Sequence, residues 1–169
     1  MIAAIVAVDN NWGIGYNGEL LEHLPEDMKY FKELTQNKPI IMGRKTWDSL
    51  PRKPLSNRTN VVITHTEIPY CHKGALFCNM DFIKQQAWYI LQKANEEDEW
   101  FVIGGRSIYE EFLPLCDRIY LTHIGRDHKN VDTYFPRIDK DPEWEIDTCT
   151  ELRESVTGIP YAFLTYKRV

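Results

Sequence analysis

The sequence predicts a three-layer α/β fold, a mostly parallel mixed sheet with helices on both faces and antiparallel strand structure at the C-terminal end. Two observations carry this. Unbroken apolar runs, the mark of strands covered on both faces, alternate with helical segments through the first two thirds of the chain, as in parallel sheets. The last third instead shows alternating polarity without helical periods, as in strands that pair antiparallel. In order, Ile2-Ala3-Ala4-Ile5-Val6-Ala7-Val8 is the first strand, ended by Asp9-Asn10-Asn11. Helix 25–36, strand Pro39-Ile40-Ile41-Met42-Gly43 and a short helix over 44–50 follow. Strand Asn60-Val61-Val62-Ile63-Thr64 precedes helix 80–95, with apolar Phe82, Ile83, Ala87, Ile90, Leu91 and Ala94. Then comes strand Trp100-Phe101-Val102-Ile103-Gly104. Residues 118–124, 144–150 and 162–167 close the chain as β-rich segments expected to be antiparallel, with a turn at Thr157-Gly158-Ile159-Pro160.

The 169 residues, 43% hydrophobic and 27% charged, suit one domain over 1–169, of a size that buries about 70% of its unfolded surface. A net charge of −5 and a pI near 5.5 argue against nucleic-acid and polybasic membrane binding, so any anion site must be local. No apolar run approaches ~18 residues and the first residues lack the marks of a secretory leader, so a cytosolic protein is expected. Cys71, Cys78, Cys116 and Cys149 form no metal or redox spacing, and neither a metal nor a disulfide is expected.

Helix 25–36 concentrates the chemistry. Pro25 suits a first helical position, and Glu26 and Asp27 fall where the helix dipole favours negative charge. At 3.6 residues per turn, Asp27 shares a face with Tyr30, Phe31 and Leu34, opposite Lys29, Lys32 and Glu33. A carboxyl on an apolar face either complements the dipole or, if buried without a cation, has a raised pKa and can handle protons near neutrality.

Gly13-Ile14-Gly15-Tyr16-Asn17-Gly18 spells the dinucleotide fingerprint G-x-G-x-x-G, but no helix opens at its third glycine and no acid ends the second strand. A flexible glycine-rich loop over an active site fits better. Met42-Gly43-Arg44-Lys45-Thr46 and Ile103-Gly104-Gly105-Arg106-Ser107 place glycine, a cation and a hydroxyl at helix starts, where free N–H groups receive anions. Together they can hold two ends of a dinucleotide, with Arg44, Lys45 and His65 suited to a 2′-phosphate. Arg58 is either a carboxylate clamp or a solvated arginine, and the Thr122 hydroxyl needs a partner if buried. His23 and His123 have no triad or metal partner and read as structural.

These residues resemble dihydrofolate reductase. The match runs through Ile5-Val6-Ala7, Ile14-Gly15, His23-Leu24-Pro25-Glu26-Asp27, Ile41-Met42-Gly43-Arg44-Lys45-Thr46-Trp47, Arg58, Val102-Ile103-Gly104-Gly105, Tyr109, Tyr120-Leu121-Thr122-His123 and Asp132-Thr133-Tyr134-Phe135-Pro136. The resemblance implies an eight-stranded mixed sheet, a Gly104–Gly105 cis peptide, and NADPH-dependent reduction of 7,8-dihydrofolate to tetrahydrofolate. Such an enzyme serves one-carbon and thymidylate metabolism, is an antifolate target, and is expected here as a monomer. The resemblance makes Asp27 catalytic, promoting protonation at pterin N5 while hydride reaches C6. It implies substrate contacts from Ile5, Val6, Glu22, Asp27, Met28, Phe31, Leu50, Leu55, Arg58, Ile103 and Thr122, with Arg58 on the glutamate α-carboxylate. It further implies cofactor contacts from Ala7, Ile14, Gly15, Gly18, Glu19, Leu20, Gly43, Arg44, Lys45, Thr46, Thr64 and His65, and from Ile103, Gly104, Gly105, Arg106, Ser107, Ile108 and Tyr109.

One position departs from the family. Leu20-Leu21-Glu22 stands where the family usually has Leu-Pro-Trp, so a carboxylate replaces an indole. Directed inward, Glu22 would crowd Asp27 and push one pKa upward; the alternative is a Glu22 that swings into solvent. Two other functions are weighed: a similar reductase acting on a ribosylated pyrimidine in riboflavin synthesis, and a pterin-binding protein whose catalysis Glu22 impairs.

Overall fold

In chain order the elements are β1 (Ile2–Val8), β2 (Gly13–Tyr16), β3 (Glu19–Leu20), α1 (Pro25–Thr35), β4 (Pro39–Gly43), α2 (Arg44–Ser49), β5 (Thr59–Ile63), β6 (Tyr70–His72), β7 (Ala75–Cys78), α3 (Met80–Lys93), β8 (Trp100–Gly104), α4 (Arg106–Phe112), β9 (Arg118–Ile124), β10 (Thr133–Tyr134), β11 (Trp144–Cys149), β12 (Arg153–Glu154) and β13 (Pro160–Arg168). The computed structural model describes residues 1–93 and 98–169, without the side chains of 90–93, so predicted Ala94 lies outside the described residues.

The main sheet runs β11-β13-β9-β1-β8-β4-β5-β7-β6. The eight strands from β11 to β7 match the number the resemblance implies, and seven of them were expected by residue; β7 (Ala75–Cys78), the three-residue edge β6 and the two-residue β12 beside β13 are additions. β1 is apolar throughout because the sheet is covered twice. Ile2, Ala4, Val6 and Val8 pack with Ile108, Tyr109 and Phe112 of α4 and Ile83 of α3, whereas Ala3 and Ile5 pack with Trp47 of α2 and Phe31 and Leu34 of α1. The two-residue period of a strand thereby sorts its side chains between two cores.

Two expectations are corrected. Arg118–Ile124 is not antiparallel: as β9 it pairs parallel with β1, and only β13 opposes it. A parallel neighbour needs a crossover, and α4, whose Ile108, Tyr109 and Phe112 turn inward, supplies it. The glycine-rich segment is also not an irregular loop. It forms β2 and β3, joined through Asn17 (φ 52°) and Gly18 (φ 80°), the left-handed pair that a tight hairpin requires. β10 completes this small sheet. Asp132 anchors it, its Oδ2 accepting from Asn17 N at 2.9 Å and its N–H donating to Gly15 O at 3.1 Å. Gly13 cannot be larger, since a Cβ there would lie 2.8 Å from Val131 Cγ1 and 3.0 Å from Asp9 Oδ1.

Candidate active site

The two acids opening α1 go different ways. The Glu26 carboxylate accepts from Val156 N at 2.8 Å and Ser155 Oγ at 2.7 Å, bonds that lower its pKa and tie the helix start to the turn before β13. Asp27 turns toward the sheet, where its Oδ1 accepts from the Thr122 hydroxyl at 2.6 Å. Thr122, on β9 and 2% exposed, thus has the partner its burial demands. Burial raises the Asp27 pKa above the ordinary 3.8, and the Thr122 bond, which favours the ionised form, only partly opposes it. No ion pair among the described residues involves Asp27. Its protonated form is therefore more favoured than that of a solvent-exposed aspartate. Thr122→Val removes the opposing bond, so the Asp27 pKa should rise further; direct carboxyl titration by NMR checks the direction.

Apolar walls stand beside it. Phe31, Leu50, Leu55 and Ile103, all half-buried, pack on the cluster that contains Ile5. Two other predicted substrate contacts differ. The Val6 side chain belongs to the opposite core, because neighbours along a strand face opposite ways, so only its backbone is left to the Ile5 side. Met28 is 57% exposed, one position off the inward face of α1. Arg58 is half-buried, with Nη1 bonded to Thr35 Oγ1 at 3.2 Å, Nε to Ser56 O at 2.9 Å, and its guanidinium 5.8 Å from the Phe31 ring centre. Burial lowers its pKa, and no carboxylate among the described residues pairs with it.

The two glycine junctions are neighbours because β4 and β8 pair, Met42 opposite Gly104. Gly43 and Gly105 cap α2 and α4 without a side-chain hydrogen bond, and the Gly104–Gly105 peptide is cis. A Cβ on Gly43 would lie 3.1 Å from Ile108 Cγ1 and 3.9 Å from Gly104 O, while Gly105 faces open space bounded by Thr46 Oγ1 at 3.8 Å. Arg44 and Arg106 are exposed and pair with Asp48 and Glu110 one turn on, at 3.1 and 2.7 Å. Such pairs are worth only about 0.3–0.5 kcal/mol, so an anion can recruit either arginine at little cost. Thr64 and the exposed His65 follow β5, beside β4. Ile108 and Tyr109 differ from the prediction in that their side chains face the core, at 6% and 4% exposure, and the Tyr109 hydroxyl donates to Ile5 O at 2.7 Å. Helical period explains this: 108, 109 and 112 share the inner face. Ala7, half-buried, packs against a third, small cluster of Leu24, Ile124, Ile159 and Tyr161, and Ile14 lies in the core that contains Val6. Gly15 is on the hairpin, with Gly18, Glu19 and Leu20 exposed towards its tip.

Glu22 is corrected. Its Oε1 lies 2.9 Å from His128 Nε2 and accepts from Arg126 Nη1 at 3.0 Å. Burial pushes its pKa up, but the bonds from His128 and Arg126 outweigh this and the net displacement is downward. The pKa of Asp27 is accordingly raised by burial, not by Glu22. The residues that hold Glu22 were not singled out in the sequence. Asp9, which grips His128 from the other side, had a signal: an aspartate ending a strand before Asn-Asn is prone to cap the backbone two residues on.

A buried carboxyl with a raised pKa, half-buried apolar side chains, an arginine with no carboxylate partner among the described residues, and two adjoining helix starts without side-chain caps are features suited to an α/β enzyme that takes an anionic cofactor beside an organic substrate. Comparisons narrow the class. Residues 1–168 match the family model for dihydrofolate reductase. The chain is 38% identical over 167 residues to the dihydrofolate reductase of Neisseria meningitidis serogroup A, covering 99% of this chain and 98% of that one. It is 34% identical over 172 residues to the Bacillus subtilis enzyme, covering 99% and 95%. A solved dihydrofolate reductase from Enterococcus faecalis, complexed with NADP(H) and RAB-propyl, is similar with a TM-score of 0.82 and 32% identity, covering 99% of this chain and 96% of that one. The chain belongs to the dihydrofolate reductase family.

Proposed function

We propose that the protein reduces 7,8-dihydrofolate to 5,6,7,8-tetrahydrofolate with NADPH, Asp27 governing the proton step. The observation that carries this is the Asp27–Thr122 pair: a buried carboxyl with a raised pKa, oriented by one hydroxyl, in a chain of this family. First-turn N–H groups of α2 and α4 without a side-chain cap from Gly43 or Gly105, the open space at Gly105 and the nearby Thr46 suit a phosphate-bearing cofactor. Arg44, Lys45, Thr46, Thr64, His65, Arg106 and Ser107 would hold its phosphates and adenosine end. Bound NADPH supplies the hydride for pterin C6.

The chain's own residues do the rest. Asp27 hydrogen-bonds the pterin and promotes protonation at N5, which makes C6 more electrophilic. Thr122 holds the carboxyl in place, and Ile5, Phe31, Leu50, Leu55 and Ile103 enclose the rings and exclude water, which strengthens the electrostatic interaction with Asp27. Arg58 receives the glutamate α-carboxylate. A charge-assisted bond contributes about 1.5–3 kcal/mol, so Arg58→Gln should raise KM for dihydrofolate at least ~10-fold and leave it unchanged for a pteridine lacking the glutamate; steady-state assays on both substrates check this.

With Glu22 engaged by His128 and Arg126, the reason for an impaired pterin binder is gone, and family membership favours folate over a ribosylated pyrimidine. We place the protein in the cytosol as a monomer. Four free cysteines support a reducing compartment, and among the described residues no helix is long and apolar enough to cross a membrane. Substrate-dependent loss of NADPH absorbance at 340 nm tests the activity, and absence of turnover would refute it.

A further inference from the structure

Asp9, Glu22 and His128 form a cluster that the proton chemistry at Asp27 does not use. The Asp9 side chain is fully buried at the end of the β1 region. Its Oδ1 accepts from Asn11 N at 2.9 Å and Gly13 N at 2.8 Å, and its Oδ2 lies 3.0 Å from His128 Nδ1. Across the ring, Nε2 is 2.9 Å from Glu22 Oε1, which also accepts from Arg126 Nη1 at 3.0 Å. Ionised carboxylates only accept, and a neutral imidazole has one N–H, so both contacts are hydrogen bonds when both ring nitrogens carry protons. Asp9 stands just before the β2–β3 hairpin and Glu22 just after it. The imidazole therefore fastens the two ends of the hairpin together.

The position of Glu22 gives this fastening a chemical consequence. It lies in the short stretch joining the hairpin to α1, five residues before Asp27 in the sequence. A carboxylate released there would face Asp27 as a like charge. Held by the His128 ring and the Arg126 guanidinium, it makes its hydrogen bonds with them, while Asp27 makes its own with Thr122. The groups to be counted are Asp9, Glu22 and Arg126 around His128, with Asp127 reached from Asn11 Nδ2 at 3.4 Å, and Thr122, Tyr30 and Tyr109 around Asp27.

We propose that His128 is a positioning residue for the reduction: with Arg126 it holds the Glu22 carboxylate out of the substrate cleft, so that one carboxyl rather than two serves the proton step. This rests on the assignment of Asp27 above.

The test is the pH dependence of hydride transfer, measured in single turnovers for the wild type, His128→Gln, Arg126→Gln, Arg126→Lys, and the first two combined with Glu22→Gln. Release of Glu22 should favour the protonated form of Asp27 to higher pH. One pH unit above the wild-type midpoint, the rate relative to each enzyme's own acid plateau should rise about threefold in His128→Gln and in Arg126→Gln. Glu22→Gln in either background should abolish the rise, and Arg126→Lys, which keeps the cation, should not show it. Coincident profiles for wild type, His128→Gln and Arg126→Gln overturn the proposal, as does a rise that survives Glu22→Gln. Arg126 is an exposed side chain, so Arg126→Gln decides the matter if His128→Gln does not fold. Asp27→Asn in the same assay separates the two levels. An undiminished rate there refutes the role of Asp27, whereas a collapsed rate together with coincident profiles refutes only the role of His128.

Discussion

Asp27→Asn should slow hydride transfer to dihydrofolate at neutral pH by at least ~10²-fold, the low end of general acid–base contributions, while making the protein more stable. Asparagine keeps an oxygen for the Thr122 hydroxyl, so the 2.6 Å bond that orients the group has a successor. What it lacks is the ability to exchange a proton. The stability gain follows from linkage. Burial raises the folded-state pKa of Asp27 above its ordinary value, so the ionised form is penalised only in the native state. That penalty is absent below the unfolded-state pKa, grows as pH rises between the two values, and is complete above the folded one. The variant's melting temperature should therefore match the wild type in acid and exceed it at neutral pH. Stopped-flow fluorescence and thermal melts at several pH values check both parts, and an unchanged rate would remove Asp27 from the mechanism.

Phe101→Ala should destabilise the fold by about 3–5 kcal/mol, the range for emptying a buried phenylalanine site. Phe101 is 0% exposed on β8, between β1 and β4, and packs in the cluster of Ala3, Ile5, Ile40 and Trp47, with its ring centre 5.8 Å from that of Tyr120. Paired strands on both sides resist collapse into the vacated space, so the cavity persists. The damage should reach the site, because β8 leads through Ile103 to the Gly104–Gly105 junction. Urea unfolding should show a lower midpoint with an unchanged slope; a loss under ~1 kcal/mol would mean that the strands close over the gap.

The layered sheet was legible because its strands are locally redundant. Ile2–Val8, Pro39–Gly43 and Trp100–Gly104 are apolar at nearly every position, and the fold supplies two cores for them. The elements that escaped notice depend on partners. Gly13–Tyr16 becomes strand only by pairing with Glu19–Leu20 and Thr133–Tyr134, and the four-residue β7 is strand through its pairing with β5 and β6. The site divides likewise. Asp27 lay on a readable helix face, but the hydroxyl that orients it comes from 95 positions away. The sequence left the direction of Glu22 open, because the histidine that engages it is 106 positions distant. Composition and period report what a residue prefers locally; they do not report which remote donor reaches it first.

The bond between Glu26 and Ser155 spans 129 positions, and β13, which lies between β9 and β11, is drawn from residues 160–168. During synthesis the first helix must therefore wait. When Thr122 has left the ribosome, β9 lacks the strand that covers its outer edge, and the start of α1 lacks its tether. Such long-range closure makes for slow folding of the completed chain. The helix start that carries Asp27 is thus tied down by a segment synthesised long after it, and a ribosome stalled before residue 155 carries that start without its Ser155 tether.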